Sequence, residues 1–238
     1  MRESKRPEVS AICADDSEAE AIRLGEIHDG YRADPSRGRR WSSSNPGNLQ
    51  IREELARAVL KAVPDIHSGS KLLLDVGCGN GWFLERLINE GLRAERLRGV
   101  DLLEERVGDA SRRVAGVRVQ RADARRLPFA EDSCQLVTLF TVLSLMRGTS
   151  DVIAALREAR RVSAAGGAIA IWEPRVPSIN QATRLVGMRE LREGLGPRLE
   201  VRSLTVFPPL ARRAGPALKL LSRVPALRTH RLVLARVG

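Results

Sequence analysis

The chain is poor in aromatic residues, cysteine and long apolar runs, and each of these shortages excludes one class of structure. Aromatic residues make up 3% of its 238 positions, so its core must be built from aliphatic side chains. Its three cysteines show neither a paired spacing nor a zinc-binding spacing, which indicates no disulfide framework and no metal site. No apolar run approaches the roughly 18 residues of a membrane span. No apolar stretch after Met1 resembles a signal peptide, so we expect a cytoplasmic protein.

The charge balance is strongly basic, and arginine supplies most of it. The formal net charge is +11, with 40 basic and 29 acidic residues, and lysine accounts for four of the 40. A basic surface suits an anionic partner such as nucleic acid. Many of the arginines, however, fall on predicted helices, where a solvated outer face accommodates them. A small-molecule partner is therefore favoured, nucleic acid remains the alternative, and the pattern does not indicate an oligomeric state.

Strands and helices alternate through the middle of the chain. The predicted strands are residues 71–76, 97–101, 117–121, 135–140 and 168–173. The predicted helices are residues 48–63, 81–90, 104–115 and 151–162, the last with Ser150 as its N-cap. The last third predicts a helix over 179–194, strands over 201–207 and 231–237, and a helix near 216–222 between them. Such alternation is typical of an α/β fold with a parallel sheet covered by helices on both faces.

The first 45 residues differ in composition from the rest. They are polar and turn-rich, with a short predicted helix over Glu18–Leu24. We interpret residues 1–45 as an N-terminal arm or lid, and residues 46–238 as one α/β domain.

A glycine-rich turn follows the first predicted strand. The segment Asp75-Val76-Gly77-Cys78-Gly79-Asn80-Gly81 leads directly into a helix, an arrangement that lets backbone approach a nucleotide without a Cβ in the way. The third glycine comes one position too early for the dinucleotide fingerprint, where Trp82 stands instead, and no P-loop pattern is present. The sequence therefore points to a nucleotide other than NAD or ATP.

Three acidic residues follow three successive strands. Asp75 at the end of the first strand would repel a pyrophosphate and favour a ligand with an ammonium group. Asp101 follows the turn by about 20 residues, the spacing of a ribose-binding acid, and its two oxygens suit two ribose hydroxyls. Asp123 can accept from an adenine amino group. Because the carboxyl ends of parallel strands form the ligand-binding edge, the three acids predict a site for S-adenosylmethionine.

These segments resemble the motifs of class I S-adenosylmethionine-dependent methyltransferases. The glycine turn resembles the first motif, Gly99-Val100-Asp101-Leu102 the acidic second motif, and Ala122-Asp123-Ala124 with Leu127-Pro128-Phe129 the third. The resemblance covers about residues 50 to 175. It implies a Rossmann-like, doubly wound sheet of seven strands with the last strand antiparallel. The cofactor-binding residues that it implies are Asp75, Gly77, Cys78, Gly79, Asn80, Gly81, Asp101, Leu102, Asp123, Ala124 and Phe140. Cys134, Gln135 and Ala165 depart from the usual pattern, away from the cofactor positions.

The catalytic residues are less constrained by the pattern. Methyl transfer from a sulfonium is an in-line displacement, so a base is needed only where the acceptor must lose a proton. Glu173, at the end of the fifth strand, and His28, in the arm, are the candidates. Tyr31 and Trp41 are two of very few aromatics and both lie in the arm, where they can wall an acceptor pocket.

The function that these observations favour is methylation of a small molecule, a natural product or saccharide, on an oxygen atom, with a nitrogen atom as the alternative. An RNA methyltransferase is the alternative that the basic charge supports. A partner subunit that binds cofactor without activity is the alternative from another class.

Overall fold

A seven-stranded sheet organises the chain. The structure is a computed structural model, and it describes residues 14–33, 45–177, 182–214, 221 and 224–238. The strands are β1 Leu72–Val76, β2 Leu97–Asp101, β3 Arg118–Arg121, β4 Cys134–Phe140, β5 Ser163–Pro174, β6 Leu199–Val206 and β7 Arg228–Arg236. Their order across the sheet is β3-β2-β1-β4-β5-β7-β6.

The strand directions confirm the predicted fold class. The five strands from β3 to β5 pair in parallel, and β7 is inserted antiparallel to both β5 and β6. The chain reverses its direction of winding at β1, which pairs with β2 on one side and with β4 on the other. Such a switch point opens a crevice at the carboxyl ends of the strands, where doubly wound sheets bind ligands.

Helices cover both faces of this sheet. The described residues form α1 Ala14–Ala33, α2 Pro46–Ala62, α3 Trp82–Asn89, α4 Glu104–Arg113, α5 Thr149–Val162, α6 Met188–Leu195 and α7 Pro208–Ala214. Side chains of α2, α3 and α4, such as Leu55, Phe83 and Ala110, pack on one face. Side chains of α5 and α6, such as Leu156 and Leu191, pack on the other. None of the helices in the described ranges has the length and apolar character that crossing a membrane requires.

Two local expectations were wrong, one at the start of α5 and one before α6. The helix after β4 begins at Thr149 with Gly148 as its N-cap and without a side-chain cap, so Ser150 lies inside the first turn. Residues 182–187 are not helical, and α6 begins only at Met188. The Glu190 carboxylate accepts from the Gly187 N–H, which fixes that start. The prediction over residues 179–181 falls outside the described residues.

The two ends of the chain also differ from the expectation. The helix predicted over Glu18–Leu24 extends from Ala14 to Ala33, because its polar side chains bond to the domain along its whole length. The helix predicted near 216–222 falls almost entirely outside the described residues. The structure instead places α7 over Pro208–Ala214, where the sequence analysis expected none.

Close packing between α5 and α6 generates a stability prediction. A Cβ at Gly194 would overlap the side chain of Leu156, whereas a Cβ at Gly25 of α1 would meet nothing within 4 Å. We expect Gly194→Ala to lower the free energy of unfolding by about 1–3 kcal/mol, because overpacking outweighs the better helix propensity of alanine. Gly25→Ala, the matched control, should be neutral or stabilising by up to about 1 kcal/mol. Urea unfolding measures both, and equal effects would contradict the packing argument.

Candidate functional site

The glycine turn joins β1 to α3 at the switch point of the sheet. Gly77, Gly79 and Gly81 have φ values of +67°, +55° and +75°, a region that side chains disfavour. A Cβ at Gly77 would overlap Val142, and one at Gly81 would lie 3.2 Å from Ala110. Gly79 has nothing within 4 Å of its missing Cβ, so the middle of the turn faces open space. The turn is therefore packed at both ends and free in the middle.

Asp101 ties this turn to the end of β2. Its Oδ2 accepts from the Gly79 N–H at 2.9 Å, and its Oδ1 accepts from the Leu103 N–H at 3.1 Å. Burial raises the pKa of the Asp101 carboxyl, and the backbone N–H groups oppose that shift. Leu102 follows directly, with its carbonyl accepting from Arg121. The carboxylate thus lies beside the open middle of the turn, as a ribose-binding acid must, and that role stays a prediction.

Asp75 lies deeper, below the turn. It is 4% exposed, and its Oδ1 accepts from the Thr138 hydroxyl at 2.6 Å. Burial raises the pKa of Asp75 to about 7, with a further contribution from the charge of Asp101. The adjoining Cys78 is buried as well. Thr138 is a partner that the sequence did not reveal, because only the register of β4 against β1 brings it there.

Asp123 is held by an arginine and by the N-terminal helix. Arg125 donates to both of its oxygens, and the Ser17 hydroxyl donates to Oδ2 at 2.7 Å. The Arg125 side chain is 6% exposed and also contacts Asp16 and Asp151, so three carboxylates surround one guanidinium. These bonds hold the pKa of Asp123 below its usual range against the effect of burial. Its predicted contact with adenine stays a prediction, as does that of Ala124, which packs against the core.

An aromatic group lines one face of the carboxyl edge. Phe140, at the end of β4, stacks on Trp82 with ring centroids 6.1 Å apart and meets Phe83 edge-on at 4.9 Å. Trp172 of β5 stacks on His230 of β7 at 4.5 Å. Trp82 and Trp172 were not among the predicted site residues. Two features of the sequence could have indicated them: tryptophan is scarce in the chain, and Trp82 comes immediately after Gly81.

Glu173 is a buried carboxyl at the end of β5. It is 1% exposed, and its Oε1 accepts from the N–H groups of Leu143 and Ser144, which follow β4. Among the residues that the structure describes, its buried Oε2 has no hydrogen-bond partner. Burial raises the pKa of Glu173 to about 7. Since Val142 of the same loop packs on Gly77, Glu173 is two contacts away from the glycine turn.

The arm residues lie on a different side of the site. The Nδ1 of His28 is 3.0 Å from the Arg106 guanidinium of α4, and its ring meets that of Tyr31 at 5.8 Å. Burial and the neighbouring Arg106 lower the pKa of His28 to about 4. Helix α4 follows β2, whereas Glu173 belongs to β5, and β1 and β4 lie between these strands. The structure therefore does not bring the two predicted catalytic residues into contact. Trp41 lies outside the described residues.

The buried Asp75 carboxyl generates a pH prediction. Its pKa is about 7 in the folded protein and near its ordinary value when unfolded, so the unfolded chain releases this proton first as pH rises. Wild-type stability should then fall between about pH 4 and pH 7, by at most about 1.4 kcal/mol per pH unit from this group. In Asp75→Asn that contribution disappears. The free energy of unfolding of the variant should therefore rise relative to that of the wild type as the pH rises from about 4 to about 7. Urea unfolding at several pH values tests this. Asp29→Asn, an exposed acid of α1, is the control, and parallel curves for wild type and Asp75→Asn would contradict the prediction.

Known proteins share both the sequence pattern and the fold. Residues 74–171 match a family model described as a methyltransferase domain. A malonyl-acyl-carrier-protein O-methyltransferase of Halorhodospira halophila is 32% identical over 50% of this chain and 40% of its own length. A demethylmenaquinone methyltransferase of Thermobifida fusca is 34% identical over 57% of this chain and 57% of its own length. The chain thus spans about half the length of these curated relatives.

Among solved structures, the 4+2 cyclase SpnF has a similar fold. Its TM-score is 0.59 at 22% identity, with 82% of this chain and 86% of that chain covered. A likeness at this identity establishes the fold and leaves the reaction open. The family match spans β1 to β5 and includes both the glycine turn and Asp101. Together with the strand order and the two curated relatives, this match supports a class I S-adenosylmethionine-dependent methyltransferase, with S-adenosylmethionine as the cofactor.

Proposed function

We propose that the protein transfers the methyl group of S-adenosylmethionine to a small-molecule acceptor, on an oxygen atom. The observation that carries this proposal is the bond from the Gly79 N–H to Asp101, beside the open middle of the glycine turn. This geometry leaves room for backbone contact with a ligand and keeps a carboxylate within reach of its ribose. The residues present therefore fit the cofactor of the family.

Each residue of the edge has a defined part in this proposal. The turn from Gly77 to Gly81, with Cys78 and Asn80, would hold the amino-acid portion of the cofactor. Asp101 and Leu102 would hold the ribose, and Asp123 with Ala124 the adenine. The bound cofactor supplies an activated methyl group, so the protein has mainly to align the acceptor and exclude water. Phe140 and Trp82 form an apolar wall at the end of β4, where the methyl group would lie.

Proton removal from the acceptor falls to Glu173 in this proposal. Its Oε2 has no hydrogen-bond partner within the described part of the chain and its pKa is about 7, which suits a group that exchanges a proton near neutral pH. The neutral imidazole of His28 lies on the α4 side, among the groups around Asp101. We propose that His28 and Tyr31 belong to the cover over the cofactor. We also propose that Trp41 contacts the acceptor.

The ion pairs of the arginines near the site favour a small acceptor over RNA. Arg121 and Arg125, after β3, pair with Glu18 and Asp16 of α1 at 2.5 and 2.7 Å. Arg147, after β4, pairs with Glu20 at 2.7 Å. Each of these cations is paired with an acid of the N-terminal helix, so the local positive charge that a phosphate backbone would need is reduced.

Cofactor binding tests the proposal directly. Isothermal titration should show binding of S-adenosylhomocysteine and no binding of NAD, because Asp75 disfavours a pyrophosphate on the turn. The Asp101→Ala variant should bind S-adenosylhomocysteine more weakly, by about 2–4 kcal/mol, because charge-assisted hydrogen bonds are lost.

The Asp101→Asn variant keeps one oxygen that can accept from the Gly79 N–H. Its comparison with Asp101→Ala therefore separates the support of the turn from the binding of the ribose. Asp109→Ala is the control, because Asp109 belongs to α4 and pairs with Arg112. Tight NAD binding without a response to S-adenosylhomocysteine would overturn the proposed function.

The N-terminal helix generates a second prediction. Its polar side chains contact the ends of β3 and β4 and the start of α4, and within its described side chains only Glu20 and Ala21 are buried. We propose that α1 closes the adenosine side of the site without belonging to the core. Removal of residues 1–33 should leave a folded domain that releases S-adenosylhomocysteine faster, since the cover is gone.

Stopped-flow dissociation and thermal melting measure the two effects. An unchanged dissociation rate would show that α1 is not a cover. Aggregation of the truncated chain would show that the helix belongs to the core and that the domain boundary near residue 45 is misplaced.

A further inference from the structure

Four buried polar atoms near the carboxyl end of β5 have no hydrogen-bond partner among the residues that the structure describes. They are Ser144 Oγ, Glu173 Oε2, Arg184 Nη1 and Arg231 Nε. A buried polar group without a partner is costly, and native structures leave few of them. Two guanidiniums, one carboxyl and one hydroxyl in this state indicate a place where a polar ligand from outside the chain belongs.

Strand pairing and backbone hydrogen bonds bring these four side chains together. Glu173 of β5 lies directly opposite Arg231 of β7 in the antiparallel register, so both side chains point to the same face of the sheet. Ser144 donates its N–H to Glu173 Oε1 at 3.3 Å, and its carbonyl accepts from the Arg184 N–H at 2.9 Å. The Arg231 guanidinium donates to the carbonyl of Val186. The four side chains therefore form one group, the β5 polar cluster.

The charges around the β5 polar cluster do not balance. Arg184 pairs with Glu190 at 2.6 Å, so these two charges cancel. The half-buried Arg231 has no carboxylate within ion-pair distance among the described residues. The charge of Arg175 also acts on Arg231, and the Arg175 side chain donates to a serine hydroxyl rather than to an acid. Against these two cations stands Glu173 alone, so one net positive charge remains even when Glu173 is ionised.

The β5 polar cluster lies on the acceptor side of the site. Glu173, which receives the proton in the proposed function, is a member of it, and Ser144 belongs to the loop after β4 that also packs on the glycine turn. The acids expected to hold the cofactor follow β1, β2 and β3, which lie on the other side of β4 from β5. An acceptor that presents its hydroxyl to Glu173 therefore has Arg184 and Arg231 beside it.

We propose that Arg231, together with Arg184, binds a carboxylate of the acceptor, which makes the acceptor a small hydroxy acid. A guanidinium binds a carboxylate through paired, charge-assisted hydrogen bonds. The single net positive charge matches a monoanion better than a dianionic phosphate. Both guanidiniums are partly exposed, so a ligand can reach them from the surface. This inference rests on the proposed function, because it presumes that Glu173 receives a proton from the acceptor.

The bond changes of the reaction follow from this placement. The acceptor hydroxyl gives its proton to ionised Glu173, and its oxygen forms a bond to the methyl carbon of S-adenosylmethionine as the bond from that carbon to sulfur breaks. The products are the O-methylated acid, S-adenosylhomocysteine and protonated Glu173. The carboxylate held by Arg231 takes no part in these bond changes and serves to orient the acceptor.

Acetate is the probe for the test, because it is a small ligand that presents the proposed group. Acetamide is its uncharged match, and inorganic phosphate is the dianionic alternative. Each is titrated into the full chain at constant ionic strength, and the NMR signals of the arginine Nε–H groups report on each guanidinium separately. Arg231→Gln and Arg184→Gln assign the two signals, and thermal melting confirms that these variants are folded. Arg157 of α5, whose side chain is 65% exposed, gives the control signal for unspecific binding.

We expect acetate to shift the Arg231 and Arg184 signals of the wild type with a midpoint in the millimolar range, and acetamide to leave them unchanged. Arg231→Gln should weaken acetate binding about 10-fold or more, measured at the Arg184 signal, with Arg231→Lys in between. Bound acetate should also raise the pKa of Glu173, followed by the carbon signal of its carboxyl, because two neighbouring negative charges disfavour ionisation. A purely structural role of Arg231 would not produce that shift.

The contrary outcomes separate this inference from the proposed function. No saturable shift with acetate, or an equal shift with acetamide, would overturn the anion site and leave the proposed function in place. Tighter binding of phosphate than of acetate would overturn the assignment to a carboxylate. S-adenosylhomocysteine is titrated into the same wild-type sample, and a protein that binds acetate at Arg231 but not S-adenosylhomocysteine would overturn the proposed function, together with the acceptor role of this site.

Discussion

The turn from β1 into α3 depends on two places where no side chain fits. Gly77 packs against Val142 of the loop after β4, and Gly81 packs against Ala110 of α4. A Cβ at either position would push the turn away from an element that it must touch. The turn, the loop after β4 and helix α4 are in contact at these two glycines. Their close packing therefore fixes the position of the carboxyl edge of the sheet. The open space at Gly79, between the two packed ends, is what remains for a ligand.

Buried carboxyls then hold the edge together. Asp101 accepts from the Gly79 N–H, Asp75 from the Thr138 hydroxyl, and Glu173 from two N–H groups of the loop after β4. Burial alone would favour their neutral forms, and hydrogen bonds to the charged forms offset part of that cost. The result is a row of acids with raised pKa values along one edge of a largely apolar sheet. The protonation of acidic groups in this state responds to the charge of a ligand, which is the basis of the prediction that Asp75 favours a ligand with an ammonium group.

The basic composition of the chain has two different uses near this edge. Arg121, Arg125 and Arg147 bind acids of α1 and so fasten the N-terminal helix over the ends of β3 and β4. Arg52 has no such acid among the described residues, and stacks on Trp82 instead. A net charge does not distinguish these cases, because only the partner of each guanidinium decides whether it joins two parts of the protein or meets a ligand. The first use favours a small acceptor.

The sequence by itself determined the fold class and placed the glycine turn and Asp101 at the carboxyl ends of neighbouring strands. Local patterns can be recognised without knowledge of the tertiary contacts. The alternating strands and helices, the glycine turn and the spacing to Asp101 are patterns of this kind. Side-chain partners joined across the fold were not predictable in the same way. Thr138 reaches Asp75 only through strand register, and Ser17 reaches Asp123 from 106 positions away. Helix α1 was predicted too short, because its length depends on bonds to the domain rather than on an apolar face of its own. Tertiary structure alone decided that His28 and Glu173 lie on opposite sides of the switch point and that Arg52 stacks on Trp82, since both facts depend on how distant segments pack around one sheet.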